Sequence, residues 1–207
     1  MLNAKDLLLY LCTDRILAKG RPLAEAVDAA IAGGVTMVQL REKNAETLEF
    51  YTIARELAAI TRRRGVPLVI NDRIDIALAI GAGGLHLGQT DMPLAEARRL
   101  VGKDMFIGIS ASTVEEALKA ERGGADYLGV GAVFPTGSKA DAGEAVGIVR
   151  VTEIRAAVKL PIVAIGGIGP ANAASVMAAG ADGVAVISAI LSQPDIKYAA
   201  KALRLVL

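Results

Sequence analysis

The order of apolar and amphipathic segments predicts an α/β chain folded as a single-domain (β/α)8 TIM barrel over residues 1–207. Eight short apolar runs begin near residues 7, 36, 67, 84, 105, 127, 161 and 183, longer helical patterns lie between them, and no Ser-, Pro- or Gly-rich linker divides the chain. Each crossover between parallel strands must bury an amphipathic helix against the outside of the sheet, which favours closure into a barrel. A doubly wound open sheet is the competing architecture, but no GxGxxG turn follows the first strand.

The first strand is the apolar run Leu7 to Cys12, closed by Thr13, Asp14 and Arg15. It is shorter than a signal-peptide core and lacks a small-residue cleavage site. In the second, TMVQLREK at 36–43, period-two alternation puts Gln39, Arg41 and Lys43 on one face and Val38, Leu40 and Glu42 on the other. An amide and two cations thus converge at the carboxyl end of a buried strand. The third strand runs out into Asn71 and Asp72. The fourth, Gly84 to Gln89, holds His86, the only histidine, which reads as a satisfied core or supporting residue ahead of a catalytic base. A helix start follows, with Asp91 before Pro93 and apolar spacing at Leu94, Ala97, Leu100 and Val101. The fifth strand ends at Ser110, and Ser112 with Glu115 matches a capping box.

The sixth strand is followed by an irregular stretch from Phe134 to Val146, a length typical of active-site lids and binding loops. Residues 162–181 carry no charge over a membrane-spanning length, yet Gly166, Gly167, Gly169 and Pro170 interrupt them. That segment reads as the seventh strand, a turn and a helix. The eighth strand leads to Ile187 and Ser188. Gly81, Gly124 and Gly180 each open a similar glycine-to-strand segment, where positive φ would stop the preceding helix.

The 23 Lys and Arg against 22 Asp and Glu leave a net charge of +1, too little to draw nucleic acid or an anionic membrane. A soluble cytoplasmic protein is expected, and a homo-oligomer is compatible with this balance. Cys12, the one cysteine, fits a reducing compartment and a small core position.

In such a barrel the carboxyl ends of the strands form the functional face. There the sequence puts Asp14, Gln39, Arg41, Lys43, Asn71, Asp72, Gln89, Asp91, Ser110, Thr136, Ser138, Lys139, Gly166, Gly167 and Ser188. Asp72 and Asp91, ending consecutive strands, suit one magnesium ion, or else cap two helices. The glycines after strand seven and Ile187–Ser188 after strand eight suit a phosphate or close helix packing.

Taken together, LYLCTD at the first strand, QLREK at 39–43, NDRIDIAL at 71–78, HLGQTDMP at 86–93, GIS at 108–110, GAVFPTGSK at 131–139, AIGGI at 164–168 and VIS at 186–188 closely resemble the thiamine-phosphate synthase family. The resemblance covers nearly the whole chain. It implies that Gln39, Arg41, Lys43, Asn71, Ser110 and Lys139 bind an aminopyrimidine diphosphate, with Arg41, Lys43 and Lys139 acting in catalysis. By the same resemblance Asp72 and Asp91 hold Mg2+, while Thr136, Ser138, Gly167, Ile187 and Ser188 bind a thiazole phosphate. Ser138 stands where family members often have threonine, which keeps the hydroxyl, and ADAGEA after Lys139 departs from the usual proline-containing continuation.

The implied reaction is a substitution at the pyrimidine methylene, with diphosphate leaving and the thiazole nitrogen attacking. Arginine, lysine and magnesium suit that task, and no nucleophilic side chain is needed. A related thiazole tautomerase would need neither the paired aspartates nor the full cation set. A non-catalytic barrel binding a phosphorylated ligand would tolerate their loss.

Overall fold

A computed structural model describes residues 2–138 and 144–207. Its strands are β1 Leu9–Cys12, β2 Met37–Leu40, β3 Leu68–Asn71, β4 Gly84–Leu87, β5 Phe106–Ala111, β6 Tyr127–Val130, β7 Ile162–Ile165 and β8 Gly183–Val186. All pair in parallel with their sequence neighbours, and β1 pairs with β8 to close the barrel. Every strand starts within two residues of its predicted start. The helices are α1 Leu23–Ala32, α2 Thr47–Arg64, α3 Ile74–Ile80, α4 Leu94–Val101, α5 Val114–Arg122, α6 Gly147–Ala157, α7 Ala173–Ala178, α8 Ser188–Leu191 and α9 Ile196–Arg204. Among the described residues no helix is long and apolar enough to cross a membrane.

Alternation divides each strand between two environments. Leu9, Leu11, Val38, Leu40 and Ile70 are fully buried within the hydrophobic core, and each such side chain contributes about 1.5–3 kcal/mol on burial. The opposite face fills the barrel with Tyr10, Gln39, His86 and Tyr127. Glycines make room for these bulky groups. A Cβ at Gly108 would lie 2.1 Å from Tyr127 Cζ, and one at Gly129 would lie 2.9 Å from His86 Cε1. Gly108→Ala is therefore expected to cost about 1–3 kcal/mol by overpacking. A urea midpoint equal to that of the parent chain would show that the Tyr127 ring yields at no cost.

The internal repeat has a structural counterpart. Gly81, Gly124 and Gly180 all have positive φ at helix ends. After the last two, aspartates make equivalent ties: Asp126 accepts from the Ile107 N–H and the Arg98 guanidinium, and Asp182 from the Ile162 N–H and Arg155. Each carboxylate thus pins the start of one strand to a preceding helix.

Two local expectations need correction. Strand two ends at Leu40, so Arg41 and Lys43 lie beyond it and not on its face. The chain is held there by the Thr13 side chain, whose Oγ1 accepts the Arg41 N–H at 3.1 Å. The capping box is Thr113 with Glu116, one residue later than predicted. Both pairs match the same pattern, and Ser112 joins the actual box by donating its N–H and hydroxyl to Glu116.

Candidate active site

Two adjoining cavities open at the carboxyl ends of the strands. The larger, about 1030 Å³, is bounded by Thr136, Ser138, Gly167, Ile187 and Ser188, the residues expected around a thiazole phosphate. The smaller, about 60 Å³, lies within the barrel and is bounded by Gln39, Arg41, Asn71 and Ser110. Ser110, Gly129, Ile165, Ala185 and Ile187 border both cavities. Four residues of the pyrimidine group thus border the inner cavity and the thiazole group borders the outer one, with Ser110 and Ile187 at both. Lys139 lies outside the described residues.

Lys43 borders neither cavity, and its side chain extends to Asp72. Its Nζ is 2.5 Å from Asp72 Oδ2. Glu42, between the two cations, turns away and takes the Arg15 guanidinium at 2.9 Å. Burial raises its carboxyl above the ordinary value despite that partner. Asn71 is buried at the end of β3. Asp72 follows it at φ +61, a left-handed conformation that Asp and Asn tolerate better than other side chains. Its N–H donates to the His86 carbonyl at 2.9 Å.

Neither aspartate is a helix cap. Arg73 and Pro93 occupy those positions before α3 and α4, and the Asp91 carboxylate instead accepts the Gly88 N–H at 2.7 Å. Burial raises the Asp91 carboxyl, and Asp72, within hydrogen-bonding reach, raises it further. Two adjacent carboxylates suit a hard cation, and the Lys43 ammonium already sits on Asp72. Among the described residues no group of three or more His, Cys, Asp or Glu side chains could hold a metal. A pair suits magnesium, which takes one or two carboxylates and completes its shell with phosphate and water.

Hydroxyls and glycine backbone mark the larger cavity. Ser138 Oγ donates to Ser188 Oγ at 2.9 Å, and the Ser138 N–H donates to Thr136 Oγ1 at 3.2 Å. Gly167 has φ +64, and a Cβ there would lie 2.7 Å from the Pro135 carbonyl oxygen. Only glycine satisfies both the conformation and the space. Asn172 holds the turn, donating to the Gly167 carbonyl and accepting the Gly169 N–H.

Among the residues at these cavities that sequence reasoning missed are Tyr10, Tyr127 and Arg150. Arg150 lines the larger cavity from α6. The tyrosines line the smaller. Their signal was alternation, since Tyr10 shares a face with Cys12, and Tyr127 with Gly129. Cys12 is buried in the same wall and forms no disulfide. His86 is buried and hydrogen-bonded at both ring nitrogens, to Tyr127 and Ser110.

The model of a family described as thiamine monophosphate synthase matches residues 9–190. A thiamine-phosphate synthase of Clostridium novyi is 56% identical over 195 residues, covering 94% of this chain and 96% of that protein. One from Desulfitobacterium hafniense is 54% identical over 200 residues, 97% of each chain. The solved structure of a thiamine phosphate pyrophosphorylase from Pyrococcus furiosus superposes with a TM-score of 0.91 at 43% identity, covering 98% of this chain and 96% of that one.

Proposed function

The chain belongs to the thiamine monophosphate synthase family, and on that premise we propose that it is a transferase joining two phosphorylated halves of thiamine monophosphate. The donor is 4-amino-2-methyl-5-(diphosphooxymethyl)pyrimidine, and the acceptor is a thiazole phosphate, carboxylated or not. The observation that carries this reading is the pair of adjoining cavities: Arg41 borders the inner one, and hydroxyls and glycine backbone border the outer one.

In the reaction, the methylene C–O bond breaks and diphosphate leaves with the electron pair. The pyrimidine cation that remains is captured by the thiazole nitrogen, whose lone pair forms the new C–N bond. A carboxylated acceptor also loses carbon dioxide. Arg41, Lys43 and Lys139 stabilise the charge growing on the departing diphosphate, which is where fixed cations lower a barrier most. Gln39, Asn71 and Ser110 orient the pyrimidine, and Thr136, Ser138, Gly167, Ile187 and Ser188 hold the acceptor's phosphate. Asp72 and Asp91 hold magnesium, which when bound adds neutralising charge at the diphosphate. The expected compartment is the cytoplasm, supported by the balanced charge and the single cysteine.

The deciding assay supplies both purified substrates with and without magnesium. Thiamine monophosphate and diphosphate should form in equal amounts and only with the metal. Isomerisation of a thiazole precursor without diphosphate release would instead make the chain a tautomerase. Ser188→Ala should raise KM for the thiazole phosphate about two- to tenfold, the scale of one hydrogen bond, with a smaller change in kcat. A KM change confined to the pyrimidine diphosphate would reverse the assignment of the two cavities.

A further inference from the structure

Five side chains from five strands form one hydrogen-bonded file across the barrel. Gln39 Nε2 donates to the Tyr10 hydroxyl at 2.9 Å, and that hydroxyl is 3.0 Å from the Tyr127 hydroxyl. Tyr127 Oη is 2.9 Å from His86 Nδ1, and His86 Nε2 is 3.0 Å from Ser110 Oγ. The rings also pack on one another, with Tyr127 at centroid distances of 6.1 Å from Tyr10 and 5.5 Å from His86.

From this file we infer that Gln39 sets a single direction of proton donation, which fixes the His86 tautomer and makes Ser110 a hydrogen-bond donor toward the inner cavity. The amide nitrogen has protons and no acceptor capacity, so the Tyr10 oxygen must accept at that end. Tyr10 has one proton left, and Tyr127 is the next hydroxyl in line. Tyr127 in turn donates its hydrogen bond to His86 Nδ1. Nε2 then carries the ring proton and donates to Ser110, whose own proton is left for the cavity. This direction gives each donor before Ser110 an acceptor within the file and leaves the Ser110 hydroxyl to the cavity. Burial raises both phenols well above the usual tyrosine range, which keeps one proton on each. Gly108 and Gly129 clear the positions where the Tyr127 and His86 rings stand, so the file occupies space that side chains of their own strands would fill.

The inference deepens the proposed function and, for the ligand, rests on it: Ser110 would donate to a ring nitrogen of the pyrimidine. Tyr10, Tyr127 and His86 are then positioning residues acting through Ser110. Because His86 is the only histidine, a protein labelled with 15N-histidine gives one pair of ring signals. At about pH 8, above the ordinary histidine pKa, the wild type should show a protonated Nε2 and an unprotonated Nδ1. In Tyr127→Phe the two signals should move toward one another as both tautomers become populated. A protonated Nδ1 in the wild type, or an unchanged Tyr127→Phe spectrum, would overturn the directed file.

Transmission to Ser110 is tested by a kinetic cycle. Tyr127→Phe should raise KM for the pyrimidine diphosphate about two- to tenfold with that for the thiazole phosphate unchanged, and should add almost nothing in a Ser110→Ala background. Additive effects, or equal effects on both substrates, would overturn it. If the chain turned over neither substrate, the pyrimidine reading would fall while the spectra still decided the direction.

Discussion

Arg41→Ala is expected to lower turnover about 10²- to 10³-fold, the loss seen when one fixed charge-stabilising group is removed from a reacting centre. The side chain borders the inner cavity just past the end of β2, where the diphosphate of the donor would emerge. The fold should survive the change. What holds the chain there is the Arg41 backbone N–H on Thr13, which alanine keeps. Arg41→Lys should recover part of the rate, since it restores the charge without the planar fork of donors. On the family resemblance, Lys139→Ala should show a loss of similar size. Steady-state kinetics with each substrate varied, beside a thermal melt, checks both. An effect limited to KM for the thiazole phosphate would remove Arg41 from the departing diphosphate.

The second large effect concerns the aspartate pair. Asp72→Asn and Asp91→Asn should each weaken magnesium activation and lower turnover by about tenfold or more, because each removes one anionic ligand. Asparagine is the informative substitution at position 72, since it tolerates the left-handed backbone there. The stability of the protein without metal should move the other way. Burial first, then Asp72, hold the Asp91 carboxyl above its ordinary value of 3.8. A carboxyl raised on folding contributes stability that is complete below its unfolded pKa and is lost as pH rises through the folded one. The metal-free protein should therefore lose stability as pH climbs from 3.8 through the raised pKa of Asp91. Asp91→Asn should flatten that part of the profile, and magnesium should oppose the loss. Melting temperatures against pH, with and without magnesium, test the sign. A metal-free Asp91→Asn protein with an unaltered profile would show that this carboxyl is not under strain.

Much of the barrel could be read from alternation and glycine placement, because both are local. β4 begins at Gly84, where it was expected, and the glycines before β4, β6 and β8 have the backbone angles their positions demanded. The failures came where a tertiary contact decides. The sequence offers two overlapping capping boxes, and only the packed helix selects Thr113 with Glu116. Alternation carried past Leu40 made a strand of residues that in fact leave it, because pairing with β1 stops and the Thr13 side chain takes the next N–H. The grouping of polar residues around the two cavities followed from the family resemblance and from knowing that strand ends share one mouth. Alternation could place Tyr10 and Tyr127 inside the barrel, but not their pairing: they are 117 positions apart, and only closure of the barrel brings their hydroxyls together.

The file from Gln39 to Ser110 also bears on how faithfully the chain assembles. Eight short parallel strands with largely apolar sequences are prone to slip, since Val, Ile and Leu fit one another's places with little loss. A slip of one residue in β1, β2, β4, β5 or β6 would turn a member of the file toward the helices and strand its neighbours in a dry interior. Each abandoned polar group would cost about 1–3 kcal/mol. The polar interior thus penalises mispaired barrels more heavily than a purely apolar one would, and variants such as Tyr127→Phe, which removes the hydrogen bonds to Tyr10 and His86, are expected to yield more aggregated protein on refolding.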